Sequence, residues 1–122
     1  MRLQENGDKS IQSDLKIALW QMNSTVGDFT GNSEKIREAA QRAKQEGAGL
    51  LLTPEMSLVG YPAEDWLLRD DFCEKAKAAL NQLAETLKDS IPVLVGTVWK
   101  EENGVRCNAL AFLRGGKIET LY

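Results

Sequence analysis

Apolar residues recur along this chain with two different spacings. One is the alternation typical of strands and the other is the spacing of three and four residues typical of helices, so the chain is predicted to contain both. Short runs with apolar side chains on one or both faces of an extended chain are typical of core strands. The first run, LKIALWQM, has apolar groups on both faces, so we expect an interior strand. Asn-Gly at 103–104 and Gly-Gly at 115–116 predict tight hairpin turns between the last three runs. The predicted strands are 15–22, 50–52, 91–99, 105–113 and 117–122.

Between the first two strands, apolar residues spaced three and four apart predict an amphipathic helix. Asn32 or Ser33 is the expected N-cap, because either side chain can accept a hydrogen bond from a free backbone N–H of the first turn. Gly47 is the expected stop, since glycine readily adopts the left-handed conformation that ends helices. Two strands joined by a helix form a parallel crossover unit.

A second helical segment follows the second strand. Residues 63–69 are acidic and then apolar, and they predict a short helical turn. The longer helix is expected to begin at Asp70 or Asp71 and to end near Lys88, with Asp71 and Glu74 spaced as in a capping box. The resulting order, β-α-β-α-β-β-β, predicts an α/β domain with a mixed sheet and helices on one of its faces.

Composition narrows the classes of function. A chain of 122 residues, 43% hydrophobic and 27% charged, is typical of one globular domain. The net charge of -3 supplies no basic excess for nucleic acid or an anionic membrane, so we expect neither partner. No apolar run reaches the roughly 18 residues that span a bilayer. The polar N-terminus lacks a signal-peptide core, which favours a cytoplasmic location, and residues 1–14 are predicted to be a disordered leader.

The chain contains no histidine, which excludes a His-based catalytic triad and most zinc sites within it, so no metal site is expected. Cys73 and Cys107 have no motif spacing, and we expect both to be free thiols. Cys73 also falls off the apolar stripe of the second helix, and we expect it to be inert. Catalysis within the chain must therefore rest on carboxylate, lysine or thiol.

The segment after the second predicted strand carries the strongest chemical signal. Pro54 ends the strand, because proline has no N–H to donate to a ladder, and Glu55 follows at once. A buried carboxylate without a partner is costly, so a carboxylate at the end of a buried strand needs compensation or a use. Tyr61 lies between Gly60 and Pro62, which predict a stiff loop. The residues alone leave two interpretations open: a functional carboxylate at the mouth of the sheet, or an ordinary surface loop.

Three segments of the chain resemble the nitrilase, or carbon-nitrogen hydrolase, superfamily. They are the opening strand and loop at 15–32, the motif TPEMSLVGYPAEDWLLRDDF at 53–72, and the stretch from CNAL to GGK at 107–117. The part GYPAEDWLLR is more specific than the strand-Pro-Glu element. It is similar to the N-terminal glutaminase domain found in glutamine-dependent NAD+ synthetases. The resemblance implies that 15–122 form the N-terminal part of a nitrilase-like α-β-β-α sandwich.

This resemblance also implies a Glu-Lys-Cys triad in which Glu55, as a buried carboxylate, is the general base. A cysteine would be the nucleophile, and a lysine would stabilise the oxyanion. Tyr61 matches a position that lines the glutamine pocket, although a ring packed on the loop is an equal alternative. Neither Lys117, which belongs to a hairpin turn, nor Cys73 or Cys107 matches the triad. We therefore expect a partial domain that is inactive by itself.

The resemblance places ATP and Mg²⁺ in a separate synthetase domain, where released ammonia would amidate nicotinic acid adenine dinucleotide. No cofactor is expected in this chain. Two alternatives stay open: a stand-alone nitrilase-type amidase, and a non-catalytic module that self-associates. The second alternative arises because one face of the predicted sheet has no helices and the chain reaches Tyr122 in mid-strand, so we expect a homo-oligomer.

Overall fold

The computed structural model describes residues 14–122 and shows a five-stranded mixed sheet with two long helices packed on one face. The predicted α/β class and the order β-α-β-α-β-β-β are confirmed. Apart from Asp14, the predicted leader at 1–14 lies outside the described residues. The elements are, in chain order, β1 (Ile17–Leu19), α1 (Phe29–Gln45), β2 (Leu50–Leu52), a 3₁₀ turn (Glu64–Leu68), α2 (Asp70–Thr86), β3 (Val93–Lys100), β4 (Arg106–Arg114) and β5 (Lys117–Leu121).

The strands follow one another across the sheet in sequence order, from β1 at one edge to β5 at the other. β1, β2 and β3 are parallel, because α1 and α2 carry the chain back between them. β3, β4 and β5 are antiparallel and are joined by the predicted turns. Gly115 and Gly116 have φ of 61° and 84°, the left-handed values that a two-residue hairpin turn requires.

The first strand is shorter than the pattern predicts, because pairing ends soon after β1. The backbone N–H of Trp20 still donates to the carbonyl of Leu52 at 3.0 Å, and the following residues then form a loop. Trp20 and Met22 nevertheless pack against the main core. These residues are therefore apolar because they pack in the core, and not because they continue the hydrogen-bonded strand.

Helix α1 begins earlier than either predicted cap. Asp28 is the N-cap, and its side chain accepts a hydrogen bond from the backbone N–H of Gly31 at 2.9 Å. Asn32 and Ser33 lie inside the helix, so both cap assignments were wrong. Three cap-forming residues compete over a short segment, and packing selects among them. The predicted stop is confirmed, since Gly47 has a φ of 82° two residues after Gln45.

Helix α2 begins at Asp70 as predicted, but the predicted capping box is absent. Arg69 is the N-cap residue and makes no side-chain cap bond. Asp71 instead forms an ion pair with Arg69 at 3.1 Å. Cys73 was predicted to lie off the apolar stripe. It is in fact buried, with 3% of its surface exposed, because the loop after β2 covers this part of α2.

Two apolar clusters hold these layers together. The main cluster fills the space between both helices and one face of the sheet, and the smaller one packs the loop after β2 against the start of α2. The smaller cluster therefore positions that loop. Its buried members are Met56, Val59, Ala63, Phe72, Cys73, Ala76 and Val98.

The other face of the sheet carries apolar residues that stay partly exposed, among them Leu94 and its partner Phe112. Leu19 and Tyr122 are 73% and 75% exposed. The helices thus cover one face only, as predicted, while the expected homo-oligomer stays a prediction. None of the helices within 14–122 has the length and apolar character needed to cross a membrane.

Asp70 connects the start of α2 to the β3–β4 hairpin. Its carboxylate pairs with Lys100 at 2.9 Å and with Arg106. The hydrogen bond and charge of Lys100, and then the charge of Arg106, hold the pKa of Asp70 below its ordinary value. A carboxyl group with a lowered pKa stabilises the fold while it is ionised.

We expect Asp70→Asn to lower the Tm of the chain at pH 7, because the variant removes the ionised partner of two cations. The difference should begin to shrink as the pH falls below about 4, where the unfolded chain takes up a proton on Asp70. It should disappear at lower pH, where the lowered pKa of the folded state is passed as well. Thermal unfolding between pH 2 and pH 7 measures this dependence. Asp89→Asn, at an exposed position, is the control. A Tm difference that is the same at every pH would contradict the assignment.

Candidate active site

The chain leaves the sheet after β2 and then returns to it. The backbone N–H of Thr53 donates to the carbonyl of Leu94 on β3, and the N–H of Leu58 donates to the carbonyl of Gly96, both at 3.0 Å. The residues between Thr53 and Leu58 are therefore looped out between two bonds to the same strand. Glu55 lies in this looped-out segment, directly after Pro54.

Buried hydroxyl groups replace the missing ladder bonds beneath the segment. The Thr53 hydroxyl accepts a hydrogen bond from the backbone N–H of Gly96 at 3.2 Å and lies 2.7 Å from the Ser57 hydroxyl. Ser57 is fully buried and donates to the carbonyl of Gly96 at 3.3 Å. The polar groups under the loop thus have partners, as burial requires.

Gly96 is the point of closest approach between β3 and this segment. A Cβ atom at this position would lie 2.2 Å from the carbonyl oxygen of Pro54 and 2.6 Å from the backbone nitrogen of Met56. Only glycine therefore fits without a backbone shift. Met56 adopts a left-handed φ of 54°, a conformation that costs about 1–3 kcal/mol in a residue other than glycine. The bonds on either side hold this strained turn in place.

The structure places Glu55 on the surface, which corrects the expectation of a buried carboxylate. Pro54 ends the pairing of β2, and the looped-out segment carries the side chain out of the sheet. Glu55 lines a hollow of about 280 Å³ together with Tyr61, which is 65% exposed. The hollow is lined by Met22, Asn23, Ser24, Pro54, Glu55 and Tyr61. The two site residues expected from the sequence therefore share one concave surface.

Asn108 on β4 provides a contact that the sequence did not predict. Its side-chain nitrogen donates to Oε1 of Glu55 at 2.6 Å, across a separation of 53 residues. Within 14–122 this is the hydrogen bond that holds the Glu55 carboxylate, which makes no ion pair there. Asn108 belongs to the CNAL motif that forms part of the family resemblance. Its contact with Glu55, however, depends on the pairing of the strands and is not contained in the motif.

Asn32, wrongly expected to cap α1, joins the two loops that form the hollow. It is fully buried, and its side-chain nitrogen donates to the carbonyls of Thr25 and Leu58 at 2.8 and 2.9 Å. Its side-chain oxygen accepts from the backbone N–H of Thr25 at 2.9 Å. The loop after β1 and the loop after β2 are therefore fixed relative to each other by one side chain.

A backbone contact reinforces this connection. Gly60 has a φ of 92°, and a Cβ atom there would lie 2.4 Å from the backbone nitrogen of Val26. Next to it, the N–H of Gly27 donates to the carbonyl of Val59 at 3.0 Å. The glycine before Tyr61 thus allows the two loops to touch, in addition to shaping the turn.

The remaining chemical groups considered from the sequence lie elsewhere. Lys117 begins β5, Cys107 is half-buried on β4, and Cys73 is buried under the loop. None of the three lines the hollow, and both cysteines are free thiols. Residues 14–122 contain no group of three or more His, Cys, Asp or Glu side chains that could hold a metal. Within these residues the hollow offers one carboxylate that can accept a proton, surrounded by polar groups that can orient a small ligand.

Comparisons with known proteins identify the family of this chain. The family model "Carbon-nitrogen hydrolase" matches residues 16–122. The glutamine-dependent NAD(+) synthetase of Synechocystis is 51% identical over 82 residues, covering 67% of this chain and 15% of that protein. The enzyme of the same name from Acinetobacter baylyi is 38% identical over 107 residues, covering 88% of this chain and 19% of that protein.

A solved structure supports the fold. The glutamine-dependent NAD+ synthetase of Acinetobacter baumannii, in complex with ADP, superposes with a TM-score of 0.81 at 34% identity. That match covers 88% of this chain and 20% of the other. The chain therefore spans about a fifth or less of the length of these relatives.

We expect Asn32→Asp to destabilise the chain by about 2–4 kcal/mol, because the buried carbonyl of Leu58 and the part-buried carbonyl of Thr25 lose their donor and face a carboxylate instead. The substitution keeps the size of the side chain, so no cavity contributes. Urea unfolding measures the change in the free energy of unfolding. The control is Asn81→Asp, an exposed asparagine that bonds only its own helix, where we expect less than about 0.5 kcal/mol. Equal effects of the two substitutions would contradict the role of Asn32.

Proposed function

Because the chain belongs to the carbon-nitrogen hydrolase family, we propose that it forms part of the glutaminase domain of a glutamine-dependent NAD+ synthetase, with Glu55 as the general base. The observation that carries this proposal is the position of Glu55, fixed on a braced loop at a hollow that also contains Tyr61. The names of the relatives support glutamine as the substrate. They do not favour a stand-alone amidase or a non-catalytic module.

In the proposed reaction, the side-chain amide of glutamine lies in the hollow, where the Tyr61 hydroxyl helps to orient it. Glu55 removes the proton from a cysteine thiol, and the thiolate attacks the amide carbon. Glu55 then gives the proton to the amide nitrogen, which departs as ammonia. The glutamyl group stays bound to the cysteine sulfur as a thioester. Glu55 next deprotonates a water molecule, whose attack on the thioester carbon breaks the C–S bond and releases glutamate. Glu55 then returns the proton to the departing thiolate, which restores the cysteine thiol. A lysine stabilises the oxyanion formed in both steps.

The nucleophilic cysteine and the lysine are assigned to no residue of this chain. Lys117, Cys73 and Cys107 are not among the residues that line the hollow, so we propose none of them as the partner of Glu55. We therefore expect a polypeptide of these 122 residues alone to hydrolyse no glutamine.

The released ammonia would serve the ATP-dependent amidation of nicotinic acid adenine dinucleotide. ATP and Mg²⁺ belong to the synthetase domain that this family resemblance implies, and we assign no residue of the chain to either. A cytoplasmic location is consistent with this reaction and is part of the proposal.

A chimera tests the role of Glu55. Residues of this chain replace the aligned segment of the Acinetobacter baylyi synthetase, which matches 88% of the chain. We expect Glu55→Ala to reduce glutamine-dependent NAD+ synthesis by about 10²- to 10⁴-fold, the range that a general base contributes. Synthesis from added ammonium should stay within about twofold, since it bypasses the hydrolysis.

The control for this experiment is Glu102→Ala, which removes an exposed carboxylate from the β3–β4 turn. It should leave both activities unchanged. Equal loss of the glutamine-dependent and ammonium-dependent activities in Glu55→Ala would contradict a role in hydrolysis, because it would indicate general damage to the enzyme.

A further inference from the structure

We propose that Asn108 is a positioning residue for Glu55, which orients the carboxylate and leaves one of its oxygens free to exchange a proton. The contact itself stands on the geometry. Its effect on the reaction rests on the proposed function. Asn108 would touch neither the substrate nor the nucleophile, and it would act through Glu55.

The direction of the hydrogen bond follows from chemistry. An ionised carboxylate can only accept, so the nitrogen of the Asn108 amide, and not its oxygen, must face Glu55. The 2.6 Å bond goes to Oε1, which leaves Oε2 without a partner among residues 14–122. A proton acceptor needs such a free oxygen, and it also needs a fixed orientation.

The donor to Glu55, the side-chain amide of Asn108, carries no charge. A neutral donor leaves a carboxylate better able to accept a proton than a cation does. A lysine or arginine at the same distance would favour the ionised form strongly and would weaken the tendency of the carboxylate to take a proton. Within the described residues, no cation forms an ion pair with Glu55. An amide fixes the direction of the side chain without adding a full positive charge.

The same hairpin anchors the loop and orients its carboxylate. Gly96, which receives the looped-out segment, pairs with Leu110 on β4, and Val98 pairs with Asn108. Asn108 is therefore two residues from the partner of the anchoring glycine, on a nine-residue strand. A donor on a regular strand is held more precisely than one on a loop, which suits a positioning role.

Nuclear magnetic resonance of the 122-residue chain tests the contact without any assay of activity. We expect one side-chain amide proton of Asn108 to resonate well downfield of the other, because only one of them bonds to the carboxylate. Acid titration or Glu55→Gln should move this resonance, while the amide of Asn81, which bonds the carbonyl of Lys77, should stay unchanged. If the amide proton resonance of Asn108 moves neither on acid titration nor in Glu55→Gln, the contact between Asn108 and Glu55 is overturned.

Kinetics of the chimera test the positioning role. We expect Asn108→Leu to lower the kcat of glutamine hydrolysis about tenfold to a hundredfold, the range for loss of a hydrogen bond to a charged group, with KM within about threefold. Asn108→Asp keeps the size of the side chain but adds a like charge beside Glu55. It should move the acidic limb of the kcat/KM profile to higher pH. The matched controls Asn81→Leu and Asn81→Asp should change neither quantity.

The two proposals fail in different ways. If Glu55→Ala abolishes glutamine use and Asn108→Leu leaves kcat unchanged, the proposed function stands and the positioning role is overturned. If the Asn108 amide responds to Glu55→Gln and Glu55→Ala leaves glutamine hydrolysis unchanged, the contact stands and the proposed function fails. Where the short chain gives no dispersed spectrum, the pH profile of Asn108→Asp in the chimera decides the positioning role.

Discussion

The approach of the looped-out segment to Gly96 is the contact on which the rest of the site depends. Pro54 and Met56 lie so close to this glycine that no side chain fits between them. The bonds of Thr53 and Leu58 to β3 hold the segment from both ends. A strained turn can therefore persist, because its surroundings determine it more strongly than its own conformational preference does. The consequence is a carboxylate presented at a defined place outside the sheet.

Stability and site geometry are connected through a second side chain. Asn32 uses three hydrogen bonds to join the loop after β1 to the loop after β2, and these two loops form the walls of the hollow. The helix that contains Asn32 also packs in the main core. Core packing, loop position and the location of Glu55 are thus parts of one arrangement. A substitution that alters the core packing or the position of either loop is therefore expected to change the shape of the hollow.

Much of the fold could be predicted from local pattern, because apolar period and turn residues act within short segments. The strand Leu50–Leu52, the stop at Gly47 and both hairpin turns follow from such signals. The cap of α1 could not be chosen, since several residues near Asp28 have similar local preferences. The bond between Asn108 and Glu55 depends on strand pairing over 53 residues, which no local pattern contains. The role of Glu55 came from family resemblance, and its exposure emerged only from the path of the loop.

The dependence of Glu55 on the contact at Gly96 can be measured through glutamine hydrolysis by the Acinetobacter baylyi chimera carrying Gly96→Ala. The added methyl group must push the segment away from β3, so we expect loss of glutamine-dependent activity with ammonium-dependent synthesis retained. Gly49→Ala is the matched comparison, because among residues 14–122 its methyl group would meet only a side-chain atom of Leu15, at 3.2 Å. Glutamine hydrolysis by Gly96→Ala at the level of Gly49→Ala would show that the position of Glu55 does not depend on this contact, and would contradict the role of Gly96.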